Sequence, residues 1–187
     1  MKFCSQCGAT VTLKIPEGDN EFRHVCNACD TIHYINPKII TGCLAEWQGK
    51  VLLCKRAIEP RLGKWTIPAG FMECGETIMQ GAARETREEA QAEIDNMQLF
   101  AVYNITHISH VNTMFRGTVR AGHAAPGDES LEVGFFAEAD IPWNELAFPV
   151  TTEMLQRYFE DRRSGSYSLH MADIYRDEDK ILHIKRY

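Results

Sequence analysis

The chain has 187 residues, 44% of them hydrophobic, which suits one full domain with a small accessory unit and leaves no room for a second large domain. A formal net charge of −6 argues against non-specific binding to nucleic acid or to an anionic membrane, and an anionic substrate would need metal to approach. No apolar run reaches the length of a membrane span, and the opening Met1-Lys-Phe-Cys4 carries no signal-peptide core, so a cytoplasmic protein is expected.

Seven cysteines, four of them in two Cys-x-x-Cys pairs, fit reduced thiols and a metal better than a secreted disulfide framework. Cys4 and Cys7 are separated from Cys26 and Cys29 by 18 intervening residues. That spacing is expected when two tight turns each present a pair of thiolates to one tetrahedral zinc. Gly8-Ala9 and Asp30-Thr31 follow the pairs as small or turn-forming residues, and Pro16 to Asn20 reads as a hairpin tip. Residues 1–37 are therefore expected to be a zinc ribbon whose folding energy comes largely from Zn²⁺. Four thiolates close the coordination sphere, so this zinc is structural and His24 and His33 are bystanders. Lys2, Lys14 and Arg23 stand against Glu17, Asp19, Glu21 and Asp30 with no basic stripe, which favours a docking or dimer-supporting role over nucleic acid. Cys43, Cys54 and Cys74 are left over.

Beyond Pro37 the pattern is strand-rich. Lys38 to Trp47 and Lys50 to Cys54 read as two strands joined by a tight turn containing Gly49, and Trp65 to Gly70 as a short strand and exit turn. Leu99 to Ile105, Asn112 to Ala121 and Val133 to Ala137 are further strands, the last two separated by the polar stretch Gly122 to Ser130. A helix is expected between Thr77 and Glu93, where only Gly81 interrupts, and another from Thr152 to Arg162, where Met154, Leu155, Tyr158 and Phe159 recur at helical spacing. Ser164 to Tyr187 is a mixed polar end whose alternating Ile181 to Lys185 suits either an added edge strand or a disordered end.

Residues 70–89 carry the chemistry. A strand-exit glycine, Gly70, is followed by Glu76 and then by Arg84-Glu85-Thr-Arg-Glu88-Glu89. At about 100° per residue, Glu85, Glu88 and Glu89 fall within an arc of roughly 100°. Met79, Ala82, Ala83, Thr86 and Ala90 then form the flank that packs on a sheet. An isolated run of this kind would be a solvated charged face with i,i+4 pairs such as Arg84 and Glu88. The preceding Pro68-Ala-Gly70, the interval to Glu76 and Arg84 beside Glu85 together resemble the Nudix box, G-x5-E-x7-R-E-U-x-E-E-x-G-U. The chain departs from that template at Thr86, Gln91 and Ala92. Losing the terminal glycine predicts a helix that runs on, through Glu93, but removes no carboxylate.

The resemblance implies an α/β protein, a Nudix α/β/α sandwich with a mixed sheet over 38–165, preceded by the small zinc ribbon and followed by a tail at 166–187. It also implies a hydrolase that splits a phosphoanhydride with Mg²⁺ or Mn²⁺, hard cations that suit clustered carboxylates. Glu85 and Glu89 are then the primary ligands, Glu88 a ligand directly or through water, and the Ala69 carbonyl a further one. Arg84 orients Glu85, and Glu76 holds the turn from loop to helix. Similar enzymes take a base or extra ligand from the region of Pro126 to Glu132, where Glu129 is favoured over Glu132; the alternative is an acidic surface loop.

Lys55, Arg56 and Arg61 are candidates to contact a second phosphate, and Trp65, Phe71, Tyr103 and Phe115 to stack on an adenine or flavin ring, although most aromatics are simply core. His107, His110 and His123 are read as structural or surface residues. A four-cysteine ribbon before a Nudix domain is similar to the NADH pyrophosphatases, whose Ser-Gln-Pro-Trp signature does not occur here. Trp-Thr-Ile-Pro-Ala-Gly-Phe-Met-Glu, the Glu-Glu-Ala ending and the ribbon look more like enzymes that hydrolyse ADP-ribose or FAD. The alternatives are an NADH, nucleoside triphosphate or cap pyrophosphatase, and a nucleotide-sensing module whose ribbon contacts a partner. The expected partner is a small nucleotide derivative, with a homodimer the assembly that general frequency favours.

Overall fold

The glycines and turn residues beside the cysteine pairs shape the first of two units. The computed structural model describes residues 1–187, which divide into Met1–Pro37 and Lys38–Tyr187. In the first unit β1 (Val11–Lys14), β2 (Arg23–Cys26) and β3 (Ile32–His33) form an antiparallel sheet in that order. Its tip is a turn in which the Asp19 amide donates to the Pro16 carbonyl at 3.1 Å, with Gly18 at a φ of 80°. Only Cys4, Val25 and Cys26 of this unit are buried.

The second unit is built on alternation. Its strands are β4 (Lys38–Trp47), β5 (Lys50–Arg56), β6 (Trp65–Thr66), β7 (Ala69–Phe71), β8 (Ile94–Ile105), β9 (His110–Val119), β10 (Ser130–Phe136), β11 (His170–Arg176) and β12 (Leu182–Arg186). The helices are α1 (Ile78–Ala90) and α2 (Pro149–Ser164). The sheet order is β10-β5-β4-β9-β8-β11-β12, with β6 on β5 and β7 on β4. The pairs β4 with β9 and β8 with β11 are parallel and the rest antiparallel, giving the mixed sheet of the expected fold class. Successive residues of β4 and β5 serve opposite layers. Leu44, Val51 and Leu53 join Met154, Leu155, Tyr158 and Phe159 of α2, while Cys43, Ala45, Leu52 and Cys54 join Ala82 and Ala90 of α1. Gln48 and Gly49, both left-handed at φ 49° and 76°, close the β4 to β5 hairpin with the twist such turns require. No helix is long and apolar enough to cross a membrane.

Several expectations change. Helix α1 stops at Ala90 because Gln91 takes the left-handed cap that glycine usually fills, at a φ of 48°, with its amide donating to Arg87 O. Met79 is 45% exposed and Ala83 half-buried, and Gly81 fills their place against the sheet, where a Cβ would come within 2.6 Å of Thr41. Helix α2 starts at Pro149, which suits the first turn because its missing N–H would have had no partner there. Strand β8 begins at Ile94, ahead of Leu99. The polar end is ordered: β11 lies parallel to β8, and β12 pairs with β11. Arg186 of β12 reaches the buried Glu153 of α2 through two bonds of 2.8 Å, and Arg157 stands 3.2 Å from the same carboxylate.

Candidate functional site

In the ribbon, the residue after each cysteine pair is left-handed, Gly8 at φ 75° and Asp30 at φ 54°, so each loop curls back toward its own thiols. The Gln6 amide lies 3.4 Å from Cys4 Sγ, and the Ala28 and Cys29 amides 3.4 Å from Cys26 Sγ. Sulfur separations are 3.4 Å for Cys7 to Cys26, 3.5 Å for Cys7 to Cys29 and 3.8 Å for Cys4 to Cys29. Zinc bonds of about 2.3 Å in a tetrahedron set sulfur edges of about 3.8 Å. The four thiols therefore fit zinc with little movement. His33 is not in the set of four, and its Nε2 sits 3.3 Å from Cys4 Sγ, where it hydrogen-bonds the sulfur.

The second site is assembled around Arg84. Thr77 caps α1 by accepting from the Gln80 amide while the Gln80 side chain accepts from Thr77 N, a reciprocal box that fixes where the helix begins. Just before it, Glu76 accepts from the Glu73 amide at 2.7 Å and from Arg84 at 2.8 and 3.1 Å. Arg84 also donates to Glu85 at 2.7 Å, to Glu88 at 2.9 Å and to the Phe71 carbonyl at 3.1 Å. One guanidinium thus ties the loop, the exit strand β7 and two of the three helix carboxylates. It holds the Glu76 carboxyl down at about 2, and its own pKa is raised by these partners.

Glu89 is different. It is 7% exposed and has no ion-pair partner; burial, then the charge of Glu85, pushes its carboxyl up to about 8. Arg56 and the Ala69 amide oppose that rise and Glu129 adds to it. Burial also raises Glu85, against the pull of Arg84. Gly70 lies flush against the Glu85 carboxylate, which a Cβ there would overlap. The carboxylates share one side of the helix, yet they do not gather as tightly as the thiols. The cysteines are the one set of His, Cys, Asp or Glu whose ligand atoms all lie within 4.8 Å of one another. Like charges repel, and Arg84 draws Glu85 and Glu88 toward itself.

The loop carrying Glu129 is fixed by the end of α1. Ala125 and Gly127 amides donate to the Ala90 and Glu89 carbonyls at 2.8 and 3.0 Å, and Gln91 Nε2 donates to Pro126 O at 2.6 Å. Gly127 is so close to the Glu88 carbonyl that a Cβ would overlap it. Glu129 consequently faces the box, whereas Glu132 turns to Lys55 at 3.4 Å on the surface.

These groups line one cleft of about 1230 Å³. Ala69, Phe71, Arg84, Glu85, Glu88, Glu89 and Glu129 border it, as do Arg56 and Arg61; Glu76 stands behind them on Arg84. Phe71 is 50% exposed, with His110 edge-on at 5.5 Å and Lys38 Nζ 4.9 Å from its ring. Trp65, Tyr103 and Phe115 are 5%, 1% and 2% exposed and belong to the core, so they do not offer a stacking face. Lys55, next to Arg56 on the strand, points away to Glu132. Reading His107 and His110 as outside the site also fails, because both border the cleft; His123 does not.

A family model for the NUDIX domain matches residues 37–158, and one described as Nudix N-terminal, a zinc ribbon, matches residues 2–35. The chain belongs to the Nudix family. A Nudix hydrolase from Nitrosomonas europaea, known from its crystal structure, is 55% identical, covers 94% of this chain and 100% of its own, and superposes with a TM-score of 0.90. A protein of Photobacterium profundum named NAD-capped RNA hydrolase NudC is 32% identical over 73% of this chain and 50% of its own length. An ADP-ribose pyrophosphatase of Methanocaldococcus jannaschii is 31% identical over 62% of this chain and 69% of its own. The chain thus spans half the length of that NudC relative.

The Nudix domain model ends at residue 158, yet Ile174, Arg176 and Leu182 of β11 and β12 border the cleft. So do Asn112 and Met114 of β9 and Phe148 at the start of α2. Alternation along β9 puts His110, Asn112 and Met114 on one face, and that signal was present in the sequence. The sequence marked Ile181 to Lys185 only as a possible edge strand and did not place the hairpin at the cleft.

Proposed function

We propose that this chain hydrolyses the pyrophosphate linkage of a nucleoside diphosphate derivative, ADP-ribose or FAD above others, with Mg²⁺ or Mn²⁺. The observation that carries the reading is Glu89, a buried carboxyl without a counter-ion, beside Glu85 at the wall of a cleft. Buried charges are normally paired or bind metal. Glu85, Glu89 and the Ala69 carbonyl would hold the cation, and Glu88 would join directly or through water. Bound there, a divalent ion neutralises charge on the diphosphate and acidifies a water.

The chain's own groups do the rest. Arg84 holds Glu85 in place, and Glu76 holds Arg84. Glu129 takes the proton of the attacking water, which adds to one phosphorus as the bridging oxygen leaves with the other. ADP-ribose then yields AMP and ribose 5-phosphate. Arg56 and Arg61 would bind the second phosphate and Phe71 one face of a ring. The ribbon, on this reading, is a structural zinc unit that supports docking or a homodimer, and the free thiols suit a reducing cytoplasm.

A second reading, NAD-type dinucleotides with or without attached RNA, is favoured by the relatives named NAD-capped RNA hydrolase NudC. The net charge of −6 weighs against the RNA part. The test is an activity screen with each metal over ADP-ribose, FAD, NADH, NAD-capped RNA, diadenosine polyphosphates and nucleoside triphosphates, with products identified. Turnover of triphosphates alone, or of nothing, would remove the first reading.

A further inference from the structure

Inside the cleft one polar group lacks a partner. Asn112 is 5% exposed, lines the cleft from near the start of β9, and its Oδ1 makes no hydrogen bond. A buried amide oxygen without a donor costs stability, and such groups in folded proteins are normally satisfied. The Tyr103 hydroxyl is also unpartnered, but it lies in the core and does not border the cleft. Asn112 is therefore the unsatisfied side chain that a ligand can reach.

Its surroundings specify the ligand. Register places Ile40 of β4 and Tyr103 of β8 on either side of Asn112, and Met114 follows it on the same face. Ile105, Ile174 and Leu182 extend this wall toward the C-terminal hairpin, where Arg176 also borders the cleft with its guanidinium donating to the Lys180 carbonyl at 2.6 Å. A flat apolar body with a polar edge fits such a wall. A carboxamide presents an acceptor beside a donor, which matches the edge of adenine or cytosine, where an exocyclic N–H lies beside a ring-nitrogen acceptor, and the length of the apolar wall favours the two-ring base. None of Asn112's flanking residues on that face is an arginine to take a guanine edge or an acid to balance a cationic nicotinamide.

We propose that Asn112 reads the base of the substrate and that the base is adenine. The assignment rests on the pyrophosphatase reading above for the placement of the diphosphate, and it names a substrate class shared by ADP-ribose and FAD. Asn112 is a specificity residue on a strand that supplies none of the box carboxylates.

The experiment measures binding by calorimetry of AMP and of purine riboside 5′-monophosphate, which lacks the exocyclic amine, to the wild-type chain and to Asn112→Leu. Wild type should prefer AMP by about tenfold or more, and Asn112→Leu should bind both weakly and alike. Its melting temperature should hold or rise, because an apolar isostere removes a buried unsatisfied group; a merely structural asparagine would lower it. With ADP-ribose, KM should rise at least tenfold with kcat little changed. Equal wild-type affinity for the two monophosphates, no AMP binding, or tighter binding of CMP, UMP or nicotinamide mononucleotide would overturn the assignment. So would unchanged AMP preference in Asn112→Leu. The wild-type arm stands even if that variant does not fold. Asn112-dependent AMP binding without hydrolysis of any substrate would sink the pyrophosphatase reading and leave the adenine assignment standing. Normal hydrolysis by Asn112→Leu with unchanged KM would do the reverse.

Discussion

Residues 1–37 bury Cys4, Val25 and Cys26 and leave Phe3, Leu13, Phe22, Tyr34 and Ile35 exposed, whereas the unit that follows buries side chains on both faces of a sheet. The first has too little apolar area to fold on hydrophobic burial, so ligand bonds must hold it. The second carries its polar chemistry on a scaffold stable enough to keep Glu89 desolvated and unpaired. The contrast is between a site that makes its fold and a fold that makes its site.

Removing zinc breaks the comparison most severely. Chelation, or Cys26→Ser, should cost the ribbon on the order of 10 kcal/mol. Hydrogen exchange should then show residues 1–36 unprotected while the strands of the second unit keep their protection. Loss of protection in both units would mean that the second does not stand on its core alone.

Next in size is Glu89→Gln. Turnover should fall by about 100-fold or more, with the circular dichroism spectrum and melting point retained, since the scaffold does not depend on that charge. Near-normal turnover on every substrate that wild type cleaves would refute the role given to this carboxyl.

The anchor of the C-terminal hairpin tests the scaffold itself. Arg186→Met leaves Glu153 with Arg157 alone and should cost roughly 1.5–3 kcal/mol by denaturant titration. Arg186 lowers the Glu153 pKa, so this stabilisation is fully present above the unfolded carboxyl's pKa and fades as pH falls through the lower folded value. The stability gap between wild type and variant should therefore narrow in acid. A gap independent of pH would exclude the ion pair as its source.

Gln91→Gly makes the smallest change. Glycine relieves a left-handed residue but loses the bond to Pro126 O, and the two effects offset to within about 1 kcal/mol. Gln91→Ala keeps the strain and loses the bond, so it should be the less stable of the two by chemical denaturation.

What was legible differs between the units for physical reasons. Thiolate spacing is nearly sufficient to define a ribbon, because the metal dictates the geometry of Cys4, Cys7, Cys26 and Cys29. The box helix and the strands β4 and β5 with their tight turn were legible because apolar periodicity and turn residues record which local structure a segment takes. Periodicity does not say what covers a face. Trp65, Tyr103 and Phe115 could therefore be read either as stacking candidates or as core and lie in the core, while His107 and His110 were set aside and border the cleft. The left-handed Gln91 has no residue-type signature, since its conformation is held by the loop that docks on it. The hairpin of β11 and β12 was ambiguous because its place depends on a parallel partner, β8, some 70 positions earlier.

The pleat of β9 sends Phe115 to the layer beneath α1 and its neighbours Asn112 and Met114 to the opposite side. If Asn112 reads the base as proposed, substitutions at positions 110, 112 and 114 should change which nucleotide is accepted without unsettling the helix that bears the glutamates.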